Sequence, residues 1–82
     1  AEIAPDGTFL VFEAMKGNAG EFYMSRWTRN GWGQPLDLHT ADDGSVNWDP
    51  HLGPGGRRLY FSSQRHGVTG IWSIALGRVK SN

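Results

Sequence analysis

The residues best suited to chemistry or recognition are Asn47, Asp49 and His51, in the run Asn47-Trp48-Asp49-Pro50-His51, and Trp32, which stands between Gly31 and Gly33. Side chains two apart on an extended strand point to the same side of the pleat. A carboxylate at 49 and an imidazole at 51 can therefore meet. Such a pair can hold a polar ligand or, with a substrate between its members, pass a proton; a structural hydrogen bond is its more ordinary role. Trp32, framed by glycines in a turn, is the tryptophan expected at the surface, where an indole can stack on sugars or bases. Trp27, Trp48 and Trp72 are expected to fill core and interface.

Other chemistries lack their residues. His39, His51 and His66 are too scattered for a zinc motif. Thr40 to Asp49 has clustered oxygens, as a calcium loop requires, but without the alternating acidic spacing or a distal glutamate. It reads as a solvated connector. Ser25, Ser62, Ser63 and Ser73 sit in no Gly-x-Ser-x-Gly elbow. Gly53-Pro54-Gly55-Gly56 lacks the Lys-Ser/Thr that follows in a phosphate loop. No catalytic residue, metal ligand or cofactor site is expected. Eight basic and eight acidic residues cancel, so no global field draws in nucleic acid or an anionic membrane. The local group Arg57, Arg58, Arg65 and His66 is balanced elsewhere. Cysteine is absent, which excludes disulfides and thiolate metal sites without fixing a compartment. No apolar run reaches the ~18 residues of a membrane span. Without a signal peptide and with Ala1 first, the chain reads as a processed or excised piece.

The elements that position these residues follow from an internal recurrence. An offset of 49, the step from Pro5 to Pro54, lays Pro5-Asp6-Gly7-Thr8-Phe9-Leu10-Val11-Phe12 on Pro54-Gly55-Gly56-Arg57-Arg58-Leu59-Tyr60-Phe61. The same offset lays Phe22-Tyr23 on Ile71-Trp72. Proline and glycine in these blocks suit hairpin turns, and the runs after them are β-branched or aromatic. The spacing predicts a strand tail at 2–4, strands at 8–14, 21–27 and 32–38, and strands again at 47–53, 57–63 and 70–76. Residues 15–20 and 64–69 are expected as loops, and 39–46 as a polar connector. Pro35 donates no ladder hydrogen bond, so the strand carrying it belongs at a sheet edge. No stretch has helical periodicity. The fold class is all-β.

Antiparallel four-stranded units of roughly 40–50 residues are the signature of propeller blades. On Pro5-Asp6-Gly7, Leu10, Phe12, Pro54, Gly56, Leu59, Phe61 and Ser62 the chain resembles the WD40-like β-propeller repeats of the TolB type. Gly70-Ile71-Trp72 resembles their third strand, and Trp48-Asp49-Pro50 their blade-opening Trp-x-Pro. Gly53, Gly55 and Gly70 depart from the pattern, where serine or aspartate is usual. The resemblance implies two propeller blades. Residues 1–38 form the first, with a truncated innermost strand, 39–46 the connector, and 47–82 the second, lacking its outermost strand. Two full units of 49 would span 98 residues, 16 more than the 82 present.

An innermost blade strand lines the central channel, which would make Asn47, Asp49 and His51 channel-lining. Two blades alone leave apolar faces and strand edges in water. The expectation is therefore a module completed by other copies of itself or by neighbouring blades of a longer chain. The resemblance implies a non-catalytic scaffold for a protein, peptide or glycan ligand, in a bacterial periplasm or outside the cell. The alternative it implies is the accessory or catalytic propeller of a glycosidase or peptidase. A glycosidase would need a second carboxylate to work with Asp49.

Overall fold

Alternating apolar side chains and closely spaced turn residues give eight short antiparallel strands in the computed structural model, which describes residues 1–17, 19–42 and 44–76. The first sheet contains β1 (Glu2–Ile3), β2 (Phe9–Lys16), β3 (Ala19–Thr28) and β4 (Gly31–Trp32) in that order, with β5 (Leu36–Asp37) also paired to β3. The second contains β6 (Val46–Leu52), β7 (Arg58–Arg65) and β8 (Val68–Ala75), in sequence order. No α-helix occurs among the described residues; a 3₁₀ turn, Pro54–Gly56, links β6 to β7.

Turn chemistry explains where the strands begin. The Ala4 N–H donates to the Phe9 carbonyl and the Gly7 N–H to the Ala4 carbonyl, both at 2.9 Å. The second unit repeats this, Gly53 to Arg58 at 2.9 Å and Gly56 to Gly53 at 3.0 Å. Gly7 and Gly56 close these turns at φ of 76° and 69°, where a Cβ is costly. In the first turn the Asp6 carboxylate also accepts from the Thr8 N–H at 3.0 Å and hydroxyl at 2.6 Å. Those bonds, the hydroxyl first, hold its pKa below the ordinary value. Gly55 has no side chain with which to do the same.

The two ladders share one register. Adding 49 to both members of each β2–β3 pair yields a β7–β8 pair, from Phe9↔Arg26 and Arg58↔Ala75 to Lys16↔Ala19 and Arg65↔Val68. The pairs Glu2↔Val11 and Ile3↔Leu10 likewise become His51↔Tyr60 and Leu52↔Leu59.

Three local expectations change. The segments read as loops at 15–20 and 64–69 are mostly strand, because Lys16 pairs with Ala19 and Arg65 with Val68. His66 and Gly67 both take positive φ, 51° and 76°, which closes a two-residue hairpin in the hand the strand twist favours. The strand expected over 32–38 is split into β4 and β5. The Gly33 N–H still donates to the Arg26 carbonyl at 2.7 Å, but Pro35 has no N–H and interrupts the ladder. Third, none of the tryptophans fills the core. Trp27, Trp32, Trp48 and Trp72 are all exposed, and Trp27 is more so than Trp32.

The core lies between the sheets and consists of Ala4, Phe9, Val11, Phe22, Met24, Leu59 and Phe61, flanked by Leu38, Leu52, Ile74 and Leu76. The Phe22 and Phe61 rings meet edge to face at 5.2 Å, the geometry that ring quadrupoles favour. Opposite parities are buried in the two units. Phe9 and Val11 are buried, whereas their counterparts at +49, Arg58 and Tyr60, are exposed. Leu59 and Phe61 are buried, whereas Leu10 and Phe12 are only half-buried. One face of the first sheet thus packs on the opposite face of the second. The sheets stack like successive tiles rather than as mirror images. The second unit was expected to run to residue 82; 77–82 lie outside the described residues.

Candidate functional site

The strand carrying three of the four candidate residues is irregular. Trp48 pairs with Ser62 and His51 with Tyr60, so β6 spends three steps where β7 spends two. Such a bulge re-aims side chains. It places Trp48 and His51 on one side of the sheet and puts Asp49 at φ 59°, a region tolerated best by asparagine and aspartate. The alternation expected between Asp49 and His51 is broken, yet the two meet, His51 Nε2 lying 3.1 Å from Asp49 Oδ1. On the other side, His51 Nδ1 is 3.8 Å from Glu2 Oε1. The Leu52 N–H donates to that same oxygen at 3.2 Å. The imidazole therefore sits between a carboxylate of its own strand and one from β1 of the first sheet. Asp49 and His51 are exposed, so this group can accept and donate to a polar ligand from solvent.

Asn47 is elsewhere in character. It is 2 % exposed, and its side chain is committed to a buried polar joint between connector and sheet. Its Nδ2 donates to the Thr40 carbonyl at 3.0 Å, and its Oδ1 accepts from the Ser63 hydroxyl at 2.6 Å. Arg65 completes the joint. Its Nη2 donates to the Thr40 carbonyl at 3.0 Å and to Asn47 Oδ1 at 3.2 Å, and its Nε to the Ser63 hydroxyl at 2.8 Å. The guanidinium lies 5.5 Å from the centres of both the Phe61 and Trp72 rings. At that distance the positive charge is attracted by the negative faces of both rings. Arg65 is thereby separated from Arg58, which donates to the Ser73 hydroxyl at 2.9 Å. Trp32 also stands apart, in the β3–β4 hairpin, with its ring 5.0 Å from that of Trp27. The two exposed indoles form an aromatic corner.

The connector is held more firmly than its composition suggested. Glu21, fully buried on β3, accepts from the Phe22 N–H at 2.7 Å, the Thr40 N–H at 3.0 Å and the Ala41 N–H at 2.9 Å. The Thr40 hydroxyl donates to it as well. Thr40 and Ser45 of the connector are both buried. Outside this clamp, Lys16 Nζ bridges Asp37 at 2.6 Å and Asp42 at 3.2 Å, and His39 Nδ1 lies 2.9 Å from Asp42. The bond to Asp37, followed by that to Asp42, raises the Lys16 pKa. Reciprocally, Lys16 and then the His39 N–H lower that of Asp37. Glu21 and Lys16 were not singled out from sequence. The available signal was that Glu21 falls on Gly70 at the 49-residue offset, a charged residue where its counterpart has no side chain.

A cavity of about 370 Å³ opens on the first sheet, lined by Met24, Arg26, Thr28, Gly33, Gln34 and Leu36. It lies on the packed side, since Met24 belongs to the core. No group of three or more His, Asp or Glu side chains able to hold a metal ion occurs among the described residues. No protein-family model, curated protein or solved structure matches the chain.

Proposed function

We propose that this chain supplies two adjacent blades of a TolB-like β-propeller and acts as a non-catalytic scaffold for protein, peptide or glycan contacts. Further copies, or blades of a longer chain, complete the ring. One observation carries this reading: two ladders in a single register at an offset of 49, packed so that opposite faces meet. An interface between unlike faces leaves both of its surface types free at the ends, so the same contact can be made again until rotation closes a ring. The free face of the first unit is suited to that role. Leu10 lies there, with Phe12 and Tyr23 stacked across the strands at 5.7 Å and Ile3 exposed beside them. Around a closed ring, the exposed Asp49 and His51 would line the channel as ligand contacts, and Trp32 would serve on the rim.

Sedimentation equilibrium at micromolar concentration tests the reading. The expected result is a defined oligomer. A Phe12→Glu variant, which puts a charge on the free face without touching the inter-sheet core, should shift it to monomer. A folded wild-type monomer at all concentrations would overturn self-completion.

A further inference from the structure

One peptide group of the connector is held by both sheets at once. In a trans peptide the N–H and C=O point to opposite sides of a rigid plane. The group joining Thr40 to Ala41 has its N–H on Glu21 Oε2 at 2.9 Å, from β3 of the first sheet. Its carbonyl accepts from Asn47 Nδ2 of β6 and Arg65 Nη2 of β7, both at 3.0 Å, from the second. A carboxylate thus lies at one end of the group and a guanidinium at the other. The N–H and hydroxyl of Thr40 reinforce the Glu21 end. The Ser63 hydroxyl, donating to Asn47 and accepting from Arg65, braces the other. Glu21, Thr40, Asn47 and Ser63 are all buried, so water competes little for these bonds.

We infer that the Thr40–Ala41 peptide group is a lock that sets the angle between the two sheets, with Glu21 and Arg65 coupled through it. The attraction across the apolar core is non-directional, whereas hydrogen bonds weaken steeply once misaligned. The lock is therefore the directional part of the joint. The other such link, from the Leu52 N–H to the half-buried Glu2 side chain, is longer at 3.2 Å. Opposite charges at its two ends polarise the peptide in the same sense, so each bond strengthens those in line with it. Losing the Arg65 end loosens the Glu21 end, although the two side chains belong to different sheets. With the lock open, the sheets stay joined through Phe22 and Phe61 and hinge about that contact. The angle between successive units decides whether rotation closes a ring, so the lock controls curvature. Both of its ends lie within this chain, and the inference stands whether or not the propeller reading does.

Arg65→Met, which keeps the aliphatic stem and removes the guanidinium, tests it. Hydrogen exchange at the Thr40 and Ala41 amides, which bond Glu21 and not Arg65, should speed up by about tenfold or more as their local opening becomes easier. The Trp27 amide, held by the Thr8 carbonyl at 2.8 Å within the first sheet, should keep its rate. Residual dipolar couplings should fit one orientation for both sheets in wild type and need a separate orientation for each in the variant. Arg58→Met, which loses only the bonds to Ser73, should match wild type in both measurements. Wild type also supplies a readout that needs no variant to fold. In mild urea its Thr40 and Ala41 amides and the Arg65 Nε–H should open as one unit, with a common urea dependence. Unchanged exchange at Thr40 and Ala41, equal acceleration of Trp27, or a single orientation retained in Arg65→Met would each overturn the inference. So would the same changes in Arg58→Met, or separate openings in wild type.

Discussion

If the two sheets are joined chiefly through the Phe22–Phe61 contact, these residues should be energetically coupled although 39 positions separate them in sequence. The rings are 0 % and 2 % exposed, with centres 5.2 Å apart at 66°. Truncating a buried phenylalanine to alanine costs about 3–5 kcal/mol. A chain of this length has a total stability of only about 4–12 kcal/mol, so alanine variants would risk unfolding altogether. Leucine preserves most of the volume and should cost less than about 1.5 kcal/mol at each site. The double-mutant cycle Phe22→Leu, Phe61→Leu and both together should then return a coupling of about 0.5–1.5 kcal/mol, the worth of an edge-to-face pair beyond its area. Urea unfolding followed by tryptophan fluorescence measures it, with the slope checked for constancy across the four proteins. Additive effects within about 0.3 kcal/mol would refute the stacking of these two faces. So would two separate transitions in wild type, one for each sheet.

Two further outcomes follow from the connector. Glu21→Ala orphans the buried Phe22 and Thr40 N–H groups and the half-buried Ala41 N–H, and a buried unpaired donor costs about 1–3 kcal/mol; a loss of at least about 2 kcal/mol in urea unfolding is expected, and a loss under about 1 would mean that water replaces the clamp. Asp37, whose folded pKa is held below 3.8 chiefly by Lys16, contributes stability that is present above its unfolded pKa and lost as pH falls through the lower folded value. Asp37→Asn should therefore lower the unfolding midpoint near neutral pH and converge with wild type well below pH 3.8; a gap that persists in acid would assign its effect to packing instead.

Much of the local structure was legible because it depends on residues close in sequence. Pro5-Asp6-Gly7 and Pro54-Gly55-Gly56 mark hairpins through their own φ preferences. The recurrence at 49 residues shows, before any coordinates, that the strands of the second unit repeat those of the first. Asp49 and His51 were legible as neighbours for the same reason, although the bulge that now joins them was not. A bulge is a mismatch between β6 and β7, and neither strand records it alone.

What only the tertiary structure decided is which side of each sheet is dry. In Phe9-Leu10-Val11-Phe12 both parities are apolar, so pleat alternation offers no choice between them. The choice falls when the second sheet docks, burying Phe9 and Val11 and leaving Leu10 and Phe12 half-open. The same docking withdraws Asn47 from the candidate site into its joint with Thr40, Ser63 and Arg65. It leaves the tryptophans outside a core already filled by three phenylalanines. It also buries Glu21 with the backbone donors of a connector about 20 residues away. Turns and ladders are properties of neighbouring residues and of pairs in register. Burial belongs to the whole packed assembly, and no single strand carries it.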